Sequence, residues 1–209
     1  MQITDITPQK HNKHRVSVYV DNAYAFSLDE VDLVQLGLKI GRQMSEQEIA
    51  QCNVESNFSK AKAKAMDALS RRAMSEKELR DKLLEKGFDG QIIDMTVDEF
   101  TDLGYLDDAA FAAMFAEQAM EGKGWGKRKI KYELLQKGVD GAVINEALEQ
   151  FDDAPHERMA ELLRMKYGQL DLSDRKQQER ATRFLASRGY DFSDIGAAFA
   201  RYRERQEEA

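Results

Sequence analysis

The stretch Leu103-Gly-Tyr-Leu-Asp-Asp-Ala-Ala-Phe-Ala112, continued as far as Lys137-Gly-Val-Asp140, ends one predicted helix and begins another. Its closing tetrapeptide has two counterparts, Lys86-Gly-Phe-Asp89 before it and Arg188-Gly-Tyr-Asp191 after it. The glycines at 87, 138 and 189 are separated by 51 residues each. A fixed period of this size indicates an array of like structural units.

Apolar residues keep the same period on both sides of each glycine. Leu83, Leu134 and Leu185 stand four residues before the glycines, and a base directly precedes each one. The residues six, ten and thirteen positions after each glycine are large and apolar, so they share one face of a helix. A base followed by glycine is typical of a helix C-terminus, where glycine adopts a left-handed conformation. Each unit therefore contains a helix, a glycine that ends it, and a second helix.

A further helix precedes each such pair, which gives three helices per unit. In the first unit the predicted helices are Phe58–Arg72, Glu76–Lys86 and Gln91–Leu103. Three short helices cannot bury all of their faces alone, so we expect neighbouring units to stack. The predicted fold class is mainly α, with three tandem three-helix repeats in an elongated array. Their expected ranges are 58–104, 105–153 and 154–209.

Residues 1–57 differ in character and predict a small β-hairpin module with short helices. Alternating β-branched and aromatic residues favour strands, and Asp-Asn favours a tight turn between them. Ser45 and Glu48 form a capping-box pattern that opens a helix. The other predicted segments are strands at Ile3–Ile6, Arg15–Val20 and Ala23–Ser27, a turn at Asp21-Asn22, and a helix from Asp29 to Leu36 ended by Gly37.

The composition predicts a cytoplasmic protein. Of the 209 residues, 42% are hydrophobic, which is enough for a core, and 33% are charged. No apolar run approaches the roughly 20 residues of a membrane span, and the first residues lack a secretion-signal pattern. Cys52 is the single cysteine, so no internal disulfide can form. We expect no membrane partner, and a monomer, because no long apolar heptad seam is present.

Charge is distributed in bands that follow the repeats, although the net charge is −7. Phe58–Lys86 carries nine bases and five acids, and Gly87–Gly122 carries nine acids and no base. Lys123–Gly138 carries six bases and one acid, and Val139–Leu163 carries seven acids and one base. Two interpretations remain open. Adjacent basic and acidic helices attract one another, or the basic helices face a polyanion or an acidic protein surface.

The sequence shows no catalytic constellation. Asp107 and Asp108 suit a metal or general acid-base site, but they suit better the N-terminus of a helix, where acids cap free N–H groups and complement the helix dipole. Gly122-Lys-Gly-Trp-Gly-Lys-Arg lacks the spacing and the Ser or Thr of a phosphate-binding loop. Trp125, among several bases, suits either stacking on a nucleobase or packing between helices. We expect no enzymatic activity, no cofactor and no metal.

The ordered set of motifs resembles the RecX family of bacterial recombination regulators. The resemblance covers residues 58–150 most strongly, and the third repeat matches by its period. It is carried by Arg71-Arg72-x-x-Ser75-x-x-Glu78-Leu79, Leu83-x-x-Lys86-Gly87-Phe88, Gly104-Tyr105-Leu106-Asp107-Asp108-x-x-Phe111-Ala112, and Gly126-x-x-x-Ile130-x-x-Glu133-Leu134-x-x-Lys137-Gly138.

The resemblance implies a curved rod of three-helix repeats that binds the RecA filament on single-stranded DNA. It further implies that the protein lies in the helical groove of the filament and suppresses its ATPase, strand-exchange and coprotease activities. The alternative is a helical-repeat protein that binds DNA directly through its basic helices, and a weak direct contact with DNA beside the filament is also left open. Tyr105, Asp107 and Asp108 are candidates because they match the family motif. From charge we add as candidate contacts Arg71, Arg72, Lys123, Trp125, Lys127, Arg128, Lys129 and Lys131.

The register of the repeats makes a prediction about stability. Phe100, Phe151 and Tyr202 stand at equivalent positions, and each ring is expected to be mostly buried. Phe100→Ala should lower the free energy of unfolding by about 3–5 kcal/mol, as for other core aromatic residues. Denaturant titration measures this loss, and a loss below about 1 kcal/mol would show that the register is wrong.

Overall fold

The computed structural model describes residues 1–10, 14–151 and 155–207. Within them the chain forms one three-stranded sheet and ten helices. It divides into two compact units: Met1–Ala73 with Leu79–Leu106, and Met74–Glu78 with Asp107–Ala209. The mainly α fold with an N-terminal β module, predicted from the period and the hairpin pattern, is confirmed.

The first unit begins with an antiparallel sheet of strands β1 (Ile3–Pro8), β2 (Arg15–Val20) and β3 (Ala23–Asp29), in that order. Asp21 and Asn22 connect β2 to β3 with φ of 50° and 65°, the positive values that a two-residue hairpin turn requires. The predicted strands and turn are therefore confirmed. Helix α1 (Glu30–Gln35) follows β3.

Helix α2 (Glu46–Leu69) corrects one prediction. We expected one helix opened by Ser45 and a separate one beginning at Phe58, but a single helix of 24 residues crosses this position. No glycine or proline lies between Ser45 and Ser70 to end it. The helix packs against both β3 and a later helix, α4 (Gly90–Asp102), so both of its halves are held. The capping box of Ser45 and Glu48 is confirmed.

Helix α3 (Glu76–Glu85) precedes α4, and its first turn belongs with the second unit. Asp89 caps α4 by accepting a hydrogen bond from the Ile92 amide at 3.0 Å. Phe100 lies at the end of the buried face of α4 and is 2% exposed. The other buried apolar residues of this three-helix group are Ala61, Ala65, Ala68, Leu79, Leu83, Ile92, Ile93 and Val97.

The second unit contains the remaining six helices of the described residues. They are α5 (Asp108–Lys123), α6 (Lys127–Gln136), α7 (Gly141–Glu149), α8 (Pro155–Tyr167), α9 (Arg175–Ser187) and α10 (Phe192–Glu207). Helices α5–α7 enclose one apolar core around Ile130, Leu134 and Ile144. Helices α8–α10 enclose another around Leu163, Leu185 and Phe199. The expected boundary between these two groups, residues 153/154, lies outside the described residues.

The three periodic glycines end α3, α6 and α9 in the same way. Their φ values are 85°, 82° and 85°, in the left-handed region. In each case the amide two residues past the helix cap donates to the carbonyl of the periodic leucine: Phe88 to Leu83, Val139 to Leu134, and Tyr190 to Leu185. The glycine amide donates to the carbonyl of the residue that follows this leucine, and the two hydrogen bonds together form a Schellman motif. The predicted glycine C-termini are therefore confirmed.

The aromatic register is confirmed at Phe100 and Tyr202, and Phe151 also packs against the core but is less deeply buried. Phe100 and Tyr202 are each 2% exposed, whereas Phe151 is half-buried. Helix α7 is capped at Gln150, so Phe151 lies beyond its end and packs against the core from the loop. Helix α7 has nine residues and ends before Phe151, whereas α4 and α10 are long enough to include Phe100 and Tyr202.

Two of these glycines are also sites of close approach. A Cβ atom on Gly138 would lie 2.5 Å from Lys77 Cβ, and one on Gly189 would lie 2.5 Å from the backbone nitrogen of Lys129. A Cβ on Gly87 would meet nothing within 4 Å. The residue before each close glycine accepts a hydrogen bond: Lys137 O from Ser75 Oγ at 2.6 Å, and Arg188 O from the Gly126 amide at 2.8 Å. These two hydrogen bonds are 51 residues apart in sequence, and we call them the joints.

The glycines offer a matched pair of variants. Gly87→Ala should lower the free energy of unfolding by about 1–2 kcal/mol, because only the left-handed backbone disfavours a Cβ there. Gly189→Ala should lower it by at least about 1 kcal/mol more, because the added atom also collides with the Lys129 backbone. Urea titration of both variants measures the difference, and equal losses would show that the second joint is not closely packed.

Candidate partner-binding surface

The predicted contact residues are divided between the two units. Arg71, Arg72 and Tyr105 belong to the first. The second contains Asp107, Asp108, Lys123, Trp125, Lys127, Arg128, Lys129 and Lys131. Each group is described within its own unit.

Arg71 and Arg72 lie in the loop that follows α2, and both are exposed. Arg71 Nη2 lies 3.0 and 3.1 Å from the two carboxylate oxygens of Asp67, one helical turn earlier. Arg72 Nη1 donates to the Ala73 carbonyl at 2.9 Å. The Arg71 side chain remains 73% exposed, and such an exposed ion pair stabilises the protein little.

Tyr105 and Asp107 flank the buried Leu106 at the turn between α4 and α5. The Tyr105 ring lies 5.5 Å from the Phe100 ring, yet about half of its side chain is exposed. Asp107 Oδ1 accepts from the amides of Ala109 and Ala110, both at 2.9 Å, as an N-cap. This geometry supports a capping role for Asp107 over a metal or acid-base role.

Asp108 caps a different helix from the one that it begins. Its Oδ1 accepts from the Glu76 amide at 2.9 Å, at the start of α3. Partial burial raises the pKa of the Asp108 carboxyl, and the neighbouring acids Glu76, Asp107 and Glu78 raise it further, against the Glu76 hydrogen bond. Lys137 Nζ lies 2.7 Å from Glu78 Oε1 in the same region. Asp108 therefore ties the start of α5 to the start of α3.

Trp125 is contacted by two lysines. Lys123 Nζ lies 4.3 Å and Lys129 Nζ 4.6 Å from its ring centroid, both over the ring. The ring is half-buried and lies 6.3 Å from that of Phe115, at the edge of the α5–α7 core. Of the two predicted roles, this geometry favours packing, because the ring already contacts the core and two lysine side chains.

The four bases of α6 all form contacts within the second unit. Arg128 Nη1 lies 2.9 Å from Asp191 Oδ1, and Lys129 Nζ donates to the Ser187 carbonyl at 3.2 Å. Lys127 Nζ donates to the Phe151 carbonyl at 3.2 Å, and Lys131 Nζ to Asn145 Oδ1 at 2.8 Å. Arg128 and Lys131 are nevertheless exposed. The basic band is thus partly structural, with its exposed charge on one face of α6.

Two residues on that face were missed by the sequence analysis. Tyr132 is 60% exposed and Leu135 is 47% exposed, next to the buried Ile130 and Leu134. The sequence of α6 does indicate them, because these two large apolar residues stand outside the apolar stripe that faces the core. Together with Arg128 and Lys131 they form an exposed surface of apolar and basic side chains. Among the described residues, no group of three or more His, Cys, Asp or Glu side chains is placed to hold a metal.

Among the helices of the described residues, none combines the length and the apolar character of a membrane span.

Four family models match successive parts of the sequence. They are the regulatory protein RecX N-terminal domain at residues 1–45 and the first, second and third RecX three-helix domains at 61–100, 107–148 and 152–199. The regulatory protein RecX of Clostridium tetani is 31% identical over 198 residues, covering 93% of this chain and 91% of the relative. That of Bacillus subtilis is 32% identical over 198 residues, covering 94% of this chain and 75% of the relative.

Solved structures agree. A crystal structure of regulatory protein RecX matches with a TM-score of 0.68 and 26% identity, covering 93% of this chain and 97% of the other. RecX from Lactobacillus salivarius shares the fold with a TM-score of 0.61, at 24% identity, over 70% of this chain and 96% of the other. The fold defines a helical-repeat protein with an N-terminal three-stranded sheet. The chain belongs to the RecX family of regulatory proteins.

The raised pKa of Asp108 makes a prediction about pH. Because the folded state binds this proton more tightly than the unfolded state, ionisation of Asp108 lowers stability as pH rises through the native pKa. Asp108→Asn keeps the hydrogen bond to Glu76 without the charge, so its stability relative to wild type should be higher at pH 7 than at pH 3. Urea titrations at both pH values measure this difference.

Asp108→Ala is the control for the hydrogen bond itself. It removes the acceptor for the Glu76 amide and should lower stability by about 0.5–2 kcal/mol at both pH values. The contradicting result concerns Asp108→Asn. If its stability relative to wild type is the same at both pH values, or lower at pH 7 than at pH 3, the Asp108 carboxyl is not buried.

Proposed function

We propose that this protein regulates homologous recombination and DNA repair by binding the RecA filament on single-stranded DNA. On binding, it restrains the ATPase, strand-exchange and coprotease activities of RecA, the last of which connects it to the SOS response. The single observation that carries the proposal is the match of four successive RecX domain models along the chain. We further propose that it acts as a cytoplasmic monomer without catalytic activity.

The charge on the helices supports a partner made of both nucleic acid and protein. Helix α4 carries four acids and no base, whereas α6 carries four bases and one acid. A filament of protein on DNA contains both phosphates and charged side chains, so both signs of charge find complementary groups in such a partner. Complementary charges of this kind also raise the rate of association.

Direct binding to DNA is the second candidate, and the exposed bases of α6, Arg128 and Lys131, favour it. The contacts of Lys123 and Lys129 with the indole weigh against base stacking. If bare DNA were the ligand and six or more phosphates were touched, affinity would fall by about 10³-fold or more between low and moderate salt.

ATP hydrolysis by preformed RecA filaments tests the proposal. Titration of the full chain should lower the hydrolysis rate in a dose-dependent manner, with a matching loss of strand exchange. Lys123→Gln/Lys131→Gln should inhibit less, because it removes exposed charge but leaves the Arg128–Asp191 and Lys129–Ser187 contacts in place. Lys166→Gln/Lys176→Gln, an equal charge change at exposed positions of α8 and α9, is the control.

The outcomes separate the two candidates. Unchanged hydrolysis together with no co-sedimentation on filaments would contradict the proposed function. Salt-sensitive binding to bare single-stranded DNA in the same preparation would then support the alternative. Inhibition that is equal for wild type and both variants would retain the function and reject the exposed lysines as contacts.

A further inference from the structure

Tyr132 and Leu135 form an exposed apolar pair on α6. They are 60% and 47% exposed and stand three residues apart, so their side chains are neighbours on the helix surface. Arg128 and Lys131 stand four residues before Tyr132 and Leu135, respectively, on the same face. We call Arg128, Lys131, Tyr132 and Leu135 the outer face of α6.

The repeats themselves show that the fold does not require this pair. Asp81 and Arg183 stand at the position of Tyr132 in the first and third repeats. Leu84 and Ala186 stand at the position of Leu135. By contrast, the buried positions Leu83, Leu134 and Leu185 are leucine in all three repeats. The combination of an exposed aromatic with an exposed leucine is therefore particular to the second repeat, and packing of the core does not explain it.

The charge around the pair is basic. Arg128 keeps 65% of its side chain exposed although it lies 2.9 Å from Asp191. Lys131 donates to the neutral amide oxygen of Asn145, so its positive charge is not neutralised by that contact. An apolar centre of Tyr and Leu with basic residues at its rim has the composition of a protein–protein binding site, in which Tyr and Arg are enriched.

We propose that the outer face of α6 docks onto an acidic protein surface that presents an apolar side chain toward Tyr132 and Leu135. The inference rests on the proposed function, and it identifies the occupant as the protein part of the filament and not its DNA. Leu135 offers neither a charge for a phosphate nor an aromatic face for a nucleobase, so an exposed leucine beside Tyr132 favours a protein partner over nucleic acid. The acidic surface pairs with Arg128 and Lys131 at the rim.

Binding of the full chain to preformed RecA filaments on single-stranded DNA tests this surface. Tyr132→Ala/Leu135→Ala should raise the dissociation constant at least about tenfold, as expected when an interface centre is removed. The control is Tyr24→Ala/Leu84→Ala, which removes a tyrosine and a leucine of comparable exposure elsewhere, and it should bind within about twofold of wild type. Thermal unfolding midpoints close to wild type show that both variants fold.

A second arm measures fluorescence anisotropy of a bare oligothymidylate with the same three proteins. We expect Tyr132→Ala/Leu135→Ala to change this binding no more than the control does. An equal loss on bare oligothymidylate and on filaments would overturn the inference, because the face would then contact nucleic acid. If Tyr132→Ala/Leu135→Ala binds filaments as tightly as wild type, the inference is also overturned, but the proposed function stands. Absence of binding by wild type would reject both.

Discussion

The backbone carbonyl that precedes a periodic glycine is the acceptor on which the second unit depends. Lys137 O accepts a hydrogen bond from Ser75 Oγ, and 51 residues later Arg188 O accepts one from the Gly126 amide. A helix end leaves its last carbonyls without partners inside the helix, and here one of them is satisfied by the segment that begins an earlier helix. The left-handed glycine next to it removes the Cβ that would otherwise keep the two segments apart.

The two joints differ in how closely the chains approach. In the first, a serine side chain reaches the carbonyl. In the second, the backbone of Gly126 does so directly, and a Cβ there would lie 2.6 Å from the Gly189 carbonyl oxygen. Asp108 adds a further connection by capping α3 from the start of α5. The periodic glycines thus end their helices and, at 138 and 189, also provide the surface for the next contact.

Much of the fold was predictable because its determinants are local and repeat. The period located the glycines, the leucines before them and the helices on either side, and the Asp21-Asn22 turn located the hairpin. The division of α2 was wrong, because the expected boundary came from a change in composition and no residue there ends a helix. The partial exposure of Phe151 was missed because the period predicts helices of equal length, whereas α7 ends at its C-cap Gln150, before Phe151.

The candidate surface was less predictable. Counting bases identified α6 but did not show that Arg128 and Lys129 contact the third repeat, because residues about 60 positions apart meet only through the second joint. The roles of Asp107 and Asp108 as caps of two different helices depend on the same long-range packing. Tyr132 and Leu135 were readable as exceptions to the apolar stripe, and comparison with Asp81 and Arg183 marks them as residues that the core does not require.

The most direct measurement of this account is amide hydrogen exchange at Gly126 in the native protein. If the second joint holds the repeats together, this amide exchanges only when the unit opens, with protection similar to amides in the middle of α6. Exchange at the rate of an unstructured peptide, while α6 and α9 stay protected, would contradict the central claim that the Gly126–Arg188 hydrogen bond joins the second and third repeats.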